Sequence, residues 1–161
     1  MLDLDGFKAI NDIYGHAAGD QALIECAERM GSVIRLGTTL ARVGGDEFAI
    51  ILPNMASLDE PAGLARRIVG AIADPFMIGT AATRLGVGIG IAVAPDDGRE
   101  HDELVRRADL ALYGAKAIGQ STIRFFEPEM DALVDRRMRI EQELRNAVAA
   151  KSIVPYCAIP R

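Results

Sequence analysis

The sequence predicts an α/β fold in which helices flank a mainly antiparallel central sheet. Apolar residues recur at three- and four-residue intervals in several segments, which is typical of the buried face of a helix. Short apolar runs bounded by glycine lie between these segments and are typical of strands. Gly44-Gly45 joins two such runs directly. We therefore expect a tight antiparallel hairpin there, because glycine reaches the positive φ that hairpin turns need.

The first half of the predicted order is strand, helix, helix and hairpin. Residues 1–4 have the character of the end of a strand that is cut short at its beginning. Apolar residues from Phe7 to Tyr14 follow helical spacing, and Gly15 ends that helix. A second helix is expected to begin near Asp20. Its apolar face comprises Leu23, Ala27, Met30 and Ile34.

The second half completes the order β-α-α-β-β-α-β-α-β. Leu58–Ala73 is predicted to be helical, because apolar residues recur on one face. Phe76–Ala94 is strand-like, since apolar residues alternate at period two near its end. Glu100–Ile118 is predicted as an amphipathic helix that ends at Gly119, and Ser121–Phe126 as a last short strand.

Three alternating glycines, Gly86, Gly88 and Gly90, look like a dinucleotide-binding pattern. Such a pattern works only where a strand passes into a helix, because the helix N-terminus then receives the phosphates. Here the glycines fall inside the strand-like run. We therefore reject a dinucleotide site at this position.

Residues 129–150 differ in character from the chain before them. Apolar residues follow one helical face, while arginines and acids interleave on the rest, which is typical of a solvated connector helix. We therefore place a domain boundary near residue 127. One domain is expected over 1–127, and a connector helix with a following segment over 128–161.

Composition limits the classes of function. Of the 161 residues, 50% are apolar and 25% are charged, as in a globular protein, and the net charge of −5 argues against DNA binding. No apolar run reaches the roughly 20 residues that span a bilayer, so we expect no direct membrane contact in this segment. Cys26 and Cys157 lack metal-ligand spacing and suggest structural thiols in a reducing compartment. We expect a cytoplasmic domain, with any membrane anchor of the parent protein in a preceding region.

The predicted hairpin carries two carboxylates, Asp46 and Glu47, beside bare glycine backbone. Taken alone, they could be solvated acids on an ordinary surface hairpin. Asp3 lies at the end of the first strand, where ligands commonly bind in α/β folds. If that strand pairs with the hairpin, Asp3 and Asp46 meet at the sheet edge. Two carboxylates and a phosphate then supply much of an octahedral Mg²⁺ shell.

The chain turns into the first predicted helix directly after Asp5. The backbone N–H groups of Gly6, Phe7 and Lys8 lie at the start of this helix, where they favour a phosphate. The same end of the first strand could therefore hold both a cation and a phosphorylated ligand.

Asn11, His16 and Asp20 form a second constellation. A carboxylate can accept two hydrogen bonds from the donor edge of guanine, and an amide can both donate and accept. An Asn11 and Asp20 pair would therefore select GTP over ATP. The alternative is that both side chains cap helix ends, a common use of these residue types. Spacing alone leaves the two interpretations open.

Several motifs in a fixed order now point to one family. They are Asp3-Leu4-Asp5-Gly6-Phe7-Lys8, Asn11-Asp12, Gly15-His16, Gly19-Asp20 and Gly44-Gly45-Asp46-Glu47-Phe48, followed by Arg107-Ala108-Asp109, Leu112-Tyr113 and Ala115-Lys116. Together they closely resemble the GGDEF family of diguanylate cyclases over roughly residues 1–126. The resemblance implies a palm-like α/β fold of the nucleotide-cyclase kind.

The resemblance also implies an activity and a set of roles. Two GTP molecules would condense into the bacterial second messenger cyclic di-GMP with release of two pyrophosphates. Asp3, the Leu4 carbonyl and Asp46 would hold Mg²⁺ or Mn²⁺, and Asp46 with Glu47 would assist deprotonation of the attacking hydroxyl. Lys8 and Lys116 would neutralise phosphate charge in the transition state. The implied GTP-binding residues are Gly6, Phe7, Lys8, Asn11, His16, Asp20, Gly45 and Lys116. Because each hydroxyl attacks the other GTP, turnover would need a homodimer.

The chain departs from the family pattern at two positions of functional interest. Arg35-Leu36-Gly37-Thr38 stands where the family often carries an inhibitory Arg-x-x-Asp product site, so Thr38 replaces the acid. We expect this degenerate site to give weak or no product inhibition. Gln120 stands where the family usually has an arginine that faces the triphosphate. Some loss of GTP affinity or rate is expected from that change.

The segment from Arg136 to Tyr156 resembles the lead-in of an EAL phosphodiesterase domain. The alternative is a terminal helix with a loose tail. The resemblance implies a piece of a GGDEF–EAL signalling protein. It leaves a second functional reading open, a GTP-binding regulatory module that controls an attached EAL domain without making product.

Overall fold

A computed structural model of the chain describes residues 1–131 and 146–148. The helices are α1 (Phe7–Tyr14), α2 (His16–Val33), α3 (Asp59–Ala73) and α4 (His101–Ile118). The strands are β1 (Leu2–Asp5), β2 (Thr39–Gly44), β3 (Glu47–Ile51), β4 (Phe76–Ile78), β5 (Ala81–Thr83), β6 (Gly86–Ile91) and β7 (Ile123–Phe125). Contacts divide the chain into two compact units, Met1–Phe126 and Glu127–Arg161. Most of the predicted connector helix and the whole EAL-like tail after residue 148 lie outside the described residues.

The first unit is built on a five-stranded sheet in the order β2-β3-β1-β6-β7. All neighbouring pairs are antiparallel except β6 and β7, which run parallel. The predicted fold class, an α/β fold with a mainly antiparallel sheet, is therefore confirmed. Strand β1 lies in the centre, so its carboxyl end emerges in the middle of the sheet, beside the turn between β2 and β3.

The residues of strand β6 alternate between the two faces of the sheet. Val87 and Ile89 are buried in a core that includes side chains of α1, α2 and α3. Successive strand residues point to opposite faces, and Gly88 and Gly90 face α4 instead. A Cβ atom on Gly90 would lie 2.2 Å from both the Ala108 carbonyl oxygen and the Leu112 nitrogen. Gly90 thus lets the backbone of α4 approach the sheet closely, and Gly88 leaves space for side chains of α4.

Helix α2 begins at His16, so the prediction that it begins near Asp20 was wrong. Gly15 alone interrupts the helical path, with φ of 84° and ψ of 164°. Ala17 and Ala18, which have the highest helix propensity of any residue, follow at once and extend the helix toward its start. Asp20 consequently lies in the second turn of α2.

The strand-like run predicted over Phe76–Ala94 is three strands rather than one. Strands β4 and β5 form a separate two-stranded sheet, and Gly79, with φ of 61°, lies in the turn between them. Strand β6 covers only Gly86–Ile91. A short apolar run does not show where a turn interrupts it, which is why the periodicity was misleading here.

Cys26 is fully buried in α2. Burial raises the pKa of its thiol to about 12, although the positive charge of Arg29 acts in the opposite direction. At pH 8 the thiolate is then about 10⁻⁴ of the population, and the thiolate is the form that reacts.

We therefore expect Cys26 to resist thiol reagents in the folded protein. In a Cys157→Ser variant at pH 8, Ellman's reagent should release no colour over an hour, and one equivalent after unfolding in guanidinium. Raising the pH toward 10 should increase the native-state rate about tenfold per unit, because the thiolate fraction grows in that proportion. Rapid reaction in the folded state at pH 8 would contradict this expectation.

Candidate active site

The turn between β2 and β3 consists of Gly45 and Asp46, so the predicted Gly44-Gly45 turn was wrong by one residue. Gly44 pairs with Glu47 as the last residue of β2, after a register shift at Val43. Gly45 has φ of 53°, as expected for a two-residue hairpin turn with glycine at its first position. Asp46 is therefore a turn residue itself, and Glu47 begins β3.

Asp3 lies beside this turn on β1. It pairs with Glu47 across the ladder, and the N–H of Leu4 donates to the Asp46 carbonyl with an N–O distance of 3.2 Å. The carbonyl of Leu4 faces the same neighbour, because both main-chain groups of a residue in an antiparallel strand point to one side. The structure thus places the main chains of Asp3, Leu4 and Asp46 side by side at this end of the sheet.

These donors suit a divalent cation shared with a phosphate. Mg²⁺ is usually bound through one or two carboxylates and completes its shell with water and substrate phosphates. The Asp46 side chain is half-buried and that of Glu47 is exposed. Within residues 1–131 and 146–148, no three His, Cys, Asp or Glu side chains are grouped as a metal site. Two carboxylates and one carbonyl would leave positions in an octahedral shell for water and phosphate oxygens.

Lys116, in the last turn of α4, reaches the same place from the other side of β1. Its Nζ donates to the Asp3 carbonyl at 2.8 Å and to Asp5 Oδ1 at 2.6 Å. It also forms an ion pair with the Asp3 carboxylate. The end of β1 therefore carries a lysine ammonium as well as its acids.

The environment of Lys116 fixes its charge. Burial alone lowers the pKa of this lysine, but hydrogen bonds and charges from Asp3 and Asp5 raise it more. The net pKa lies above its ordinary value, so the ammonium is retained throughout the neutral range. Lys116 is consequently a permanent cation at this position.

Helix α1 begins directly beyond β1. Gly6 precedes it with φ of 84° and carries no side chain over the helix start. The Ala9 N–H donates to the Gly6 carbonyl at 3.1 Å, whereas the N–H groups of Phe7 and Lys8 lie ahead of the first helical hydrogen bonds, in the position that favours an anion. Phe7 is buried beneath this turn, whereas Lys8 is exposed on it. The predicted phosphate-binding residues therefore adjoin Asp3.

Asn11, His16 and Asp20 lie on the neighbouring pair α1 and α2. Neither Asn11 nor Asp20 caps a helix with its side chain, so the capping alternative is wrong for both residues. Asp20 is inside α2 rather than at its start, and Asn11 serves the end of α1 only through its carbonyl, which accepts from the Gly15 N–H at 2.9 Å. His16 and Asp20 are exposed, while Asn11 is half-buried.

Gly19 makes room for the Asn11 side chain. A Cβ atom on Gly19 would lie 2.0 Å from Asn11 Oδ1 and 3.3 Å from the Phe7 ring. Glycine inside a helix costs about 1 kcal/mol relative to alanine, which is itself a signal of close approach by a neighbour. Sequence reasoning used Gly19 only as part of a motif and missed this packing role.

Arg35 and Thr38, the degenerate product site, lie before and at the entry to β2. The Arg35 guanidinium pairs with Glu60 at 3.1 Å and donates to the Pro53 carbonyl at 2.7 Å. The Thr38 hydroxyl is buried without a hydrogen-bond partner among the described residues. Arg35 is thus held by the protein itself, and Thr38 offers no charge to a ligand.

No described helix has the length and apolar character that a membrane crossing requires.

A family model described as "Diguanylate cyclase, GGDEF domain" matches residues 1–122. The bifunctional diguanylate cyclase/cyclic di-GMP phosphodiesterase MucR from Pseudomonas aeruginosa is 41% identical over 154 residues, which is 96% of this chain and 22% of MucR. The chain thus spans about a fifth of this relative's length.

Two solved structures that contain GGDEF domains are also similar to this chain. An EAL/GGDEF domain protein from M. capsulatus is 43% identical with a TM-score of 0.74, over 79% of this chain and 82% of that one. The GGDEF domain of YfiN (TpbB) from Pseudomonas aeruginosa is 33% identical with a TM-score of 0.80, over 83% and 78%.

Proposed function

Because the chain belongs to the GGDEF family of diguanylate cyclases, we propose that this domain joins two GTP molecules into cyclic di-GMP. In each step, the 3′-hydroxyl oxygen of one GTP attacks the α-phosphorus of the other. The bond from that phosphorus to the oxygen bridging the β-phosphate breaks, pyrophosphate leaves, and the hydroxyl proton passes to a carboxylate. Two such steps close the ring.

The observation that carries this proposal is the convergence of Asp3, Leu4 and Asp46 at the end of the central strand. A Mg²⁺ or Mn²⁺ ion held by these residues would offset negative charge on the triphosphate. Lys8 and the Lys116 ammonium add fixed positive charge where the transition state gains negative charge. Asp46 and Glu47 stand at the open turn, where a carboxylate can accept the hydroxyl proton.

Asn11 and Asp20 are proposed to read the base, with His16 beside them. Asp20 would accept the two N–H donors of guanine, and the Asn11 amide would pair with the remaining acceptor. Adenine lacks that donor pair, so ATP should bind poorly. The structure supports this role because neither side chain is used to cap a helix.

Replacing Gly19 with alanine should weaken GTP binding about tenfold, or about 1.4 kcal/mol. The new methyl group must displace the Asn11 amide, since its Cβ would overlap Oδ1. Calorimetric titration with GTP and Mg²⁺ gives the affinity directly.

Gly31→Ala is the matched control, because it lies in the same helix with nothing within 4 Å of the added Cβ. It should leave GTP affinity unchanged and raise stability by up to about 1 kcal/mol. Equal GTP affinity in the Gly19 and Gly31 variants would remove the basis for placing guanine beside Asn11.

One chain supplies one GTP site in this proposal, and cyclisation needs two sites facing each other. A homodimer related by a two-fold axis satisfies that need. The rate per chain should therefore rise with protein concentration until the dimer is saturated.

The deciding experiment is to incubate the purified protein with radiolabelled GTP and Mg²⁺, and then with Mn²⁺, and to separate the products by chromatography. Cyclic di-GMP and pyrophosphate in a 1:2 ratio support the proposal. ATP in place of GTP should give no cyclic dinucleotide. GTP binding without product would favour the second function.

That second function is a GTP-binding regulatory module for an attached EAL phosphodiesterase. Gln120 favours it, since this position lacks the cation that usually assists the triphosphate. The match to MucR also favours an attached domain, because it covers 96% of this chain and so extends past residue 122. In the parent protein, GTP should then change the rate of cyclic di-GMP hydrolysis without being consumed.

Product inhibition through Arg35 should be weak or absent. The guanidinium is already paired with Glu60 and main-chain carbonyls, and no acid at position 38 can hold guanine. Initial rates should stay within about twofold when product is added to several times the level that half-saturates an intact Arg-x-x-Asp site. The Arg35→Ala variant should give the same curve. Strong inhibition that this substitution relieves would show that the site still works.

A further inference from the structure

Asp5 is the most enclosed acid at the end of β1, and the roles given above do not use it. Its side chain is 8% exposed, against 27% for Asp3. One oxygen, Oδ1, accepts from Lys116 Nζ at 2.6 Å, and the other, Oδ2, accepts from the Ser121 N–H at 2.8 Å. A single carboxylate thus fixes both the lysine and the loop that follows α4.

The lysine held in this way is directed at the candidate active site. Its ammonium contacts the carbonyl and carboxylate of Asp3 as well as Asp5. A brace between β1 and α4 needs only the contact with Asp5. The additional contacts place the positive charge beside the atoms that would bind metal and phosphate.

Gly88 shapes the path of the same side chain. A Cβ atom there would lie 2.9 Å from Lys116 Cε and 3.2 Å from Cδ. The lysine stem therefore crosses β6 over the bare backbone of Gly88 and reaches Asp3 on the strand paired with it. Any larger residue must push this stem aside.

We infer that Asp5 and Gly88 are positioning residues, which hold the Lys116 ammonium against Asp3 so that its positive charge lies beside the proposed triphosphate site. Asp5 fixes the direction of the ammonium, and Gly88 leaves the channel through which the stem passes. The inference rests on the proposed function for its kinetic consequence, but the geometry it asserts can be measured without any turnover.

The first test is spectroscopic. A lysine ammonium held by three oxygen contacts exchanges its protons slowly, so it should give a ¹H–¹⁵N side-chain signal at low temperature, near neutral pH, in the protein without ligand. Lys116→Met identifies the signal by removing it. Asp5→Asn and Gly88→Ala should each shift or abolish it, whereas Asp96→Asn, in an exposed turn, should not.

The second test is a double-mutant cycle on the rate of cyclic di-GMP formation. We expect a loss of about tenfold for Asp5→Asn and about 100-fold for Lys116→Met, both mainly in kcat. If Asp5 acts through Lys116, the double variant should be no slower than Lys116→Met alone. Gly88→Ala should lose severalfold in kcat with little change in melting temperature, since only a flexible side chain must move.

The outcomes separate the inference from the proposed function. An unchanged ammonium signal in Asp5→Asn and Gly88→Ala, or losses that simply multiply in the double variant, would overturn the inference. Absence of product from the unmodified protein would count against the proposed function alone. The ammonium signals of the Asp5→Asn and Gly88→Ala variants would then decide the inference without turnover. If Asp5→Asn fails to fold, Gly88→Ala with Gly88→Ala/Lys116→Met completes the cycle.

Discussion

Replacing Asp46 with asparagine is expected to slow cyclic di-GMP formation by about 100- to 1,000-fold while leaving the fold intact. The substitution removes a negative charge from the group that would bind the metal with Asp3 and the Leu4 carbonyl. It also removes one of the two carboxylates proposed to accept the hydroxyl proton. The main-chain carbonyl of Asp46, which accepts from the Leu4 N–H, is kept.

The measurements are the initial rate at saturating GTP and Mg²⁺, the GTP affinity, and the melting temperature. Asparagine is well tolerated in turns, and the Asp46 side chain is only half-buried, so the melting temperature should change by no more than a few degrees. Asp96→Asn makes the same chemical change in another turn and should retain the full rate. An Asp46→Asn variant with an unaltered rate would remove this carboxylate from the mechanism.

Gly90→Ala is expected to cost about 3 kcal/mol or more of folding free energy. The added Cβ would meet the Ala108 carbonyl oxygen and the Leu112 nitrogen at 2.2 Å, and both are backbone atoms of α4. Neither can rotate away, so the whole helix must lift from β6. Buried residues of α4 such as Ala111, which is fully enclosed, would lose their packing.

Denaturant titration, monitored by circular dichroism, gives the free energy of unfolding. A matched glycine substitution, for which the opposite sign of change is expected, serves as the control. Gly70→Ala lies in the interior of α3 with nothing within 4 Å of the new Cβ. It should stabilise the protein by up to about 1 kcal/mol, because alanine favours the helix. If both glycine substitutions shifted stability in the same direction, close packing of α4 on β6 would not explain the result.

The fold class and most element positions could be predicted because they depend on local periodicity. Boundaries that depend on a single residue were less accessible. One glycine separates α1 from α2, so the helix starts four residues earlier than Asp20 suggests. The turn of the hairpin is displaced by one residue because a register shift at Val43 extends β2, and such a shift has no simple sequence signal.

The acids of the candidate site could be found from motifs, but the network that surrounds them could not. Asp5 and Lys116 are 111 positions apart and meet only because β1 and β6 are neighbours under α4. The alternating glycines of β6 form a clear pattern in the sequence. Their function is to give space to α4 and to the Lys116 side chain, and it can be recognised only once α4 is known to pack there. Gly19 is similar, since only the fold shows that Asn11 fills the space above it.

Asp46 occupies a two-residue surface turn and takes part in the sheet only through its main chain. The Asp46 side chain therefore contributes to the proposed chemistry and not to the packing of the core. In the proposed mechanism, a substitution at Asp46 would slow product formation while the sheet and its core stay folded. A correctly folded domain is therefore no measure of whether this architecture makes product.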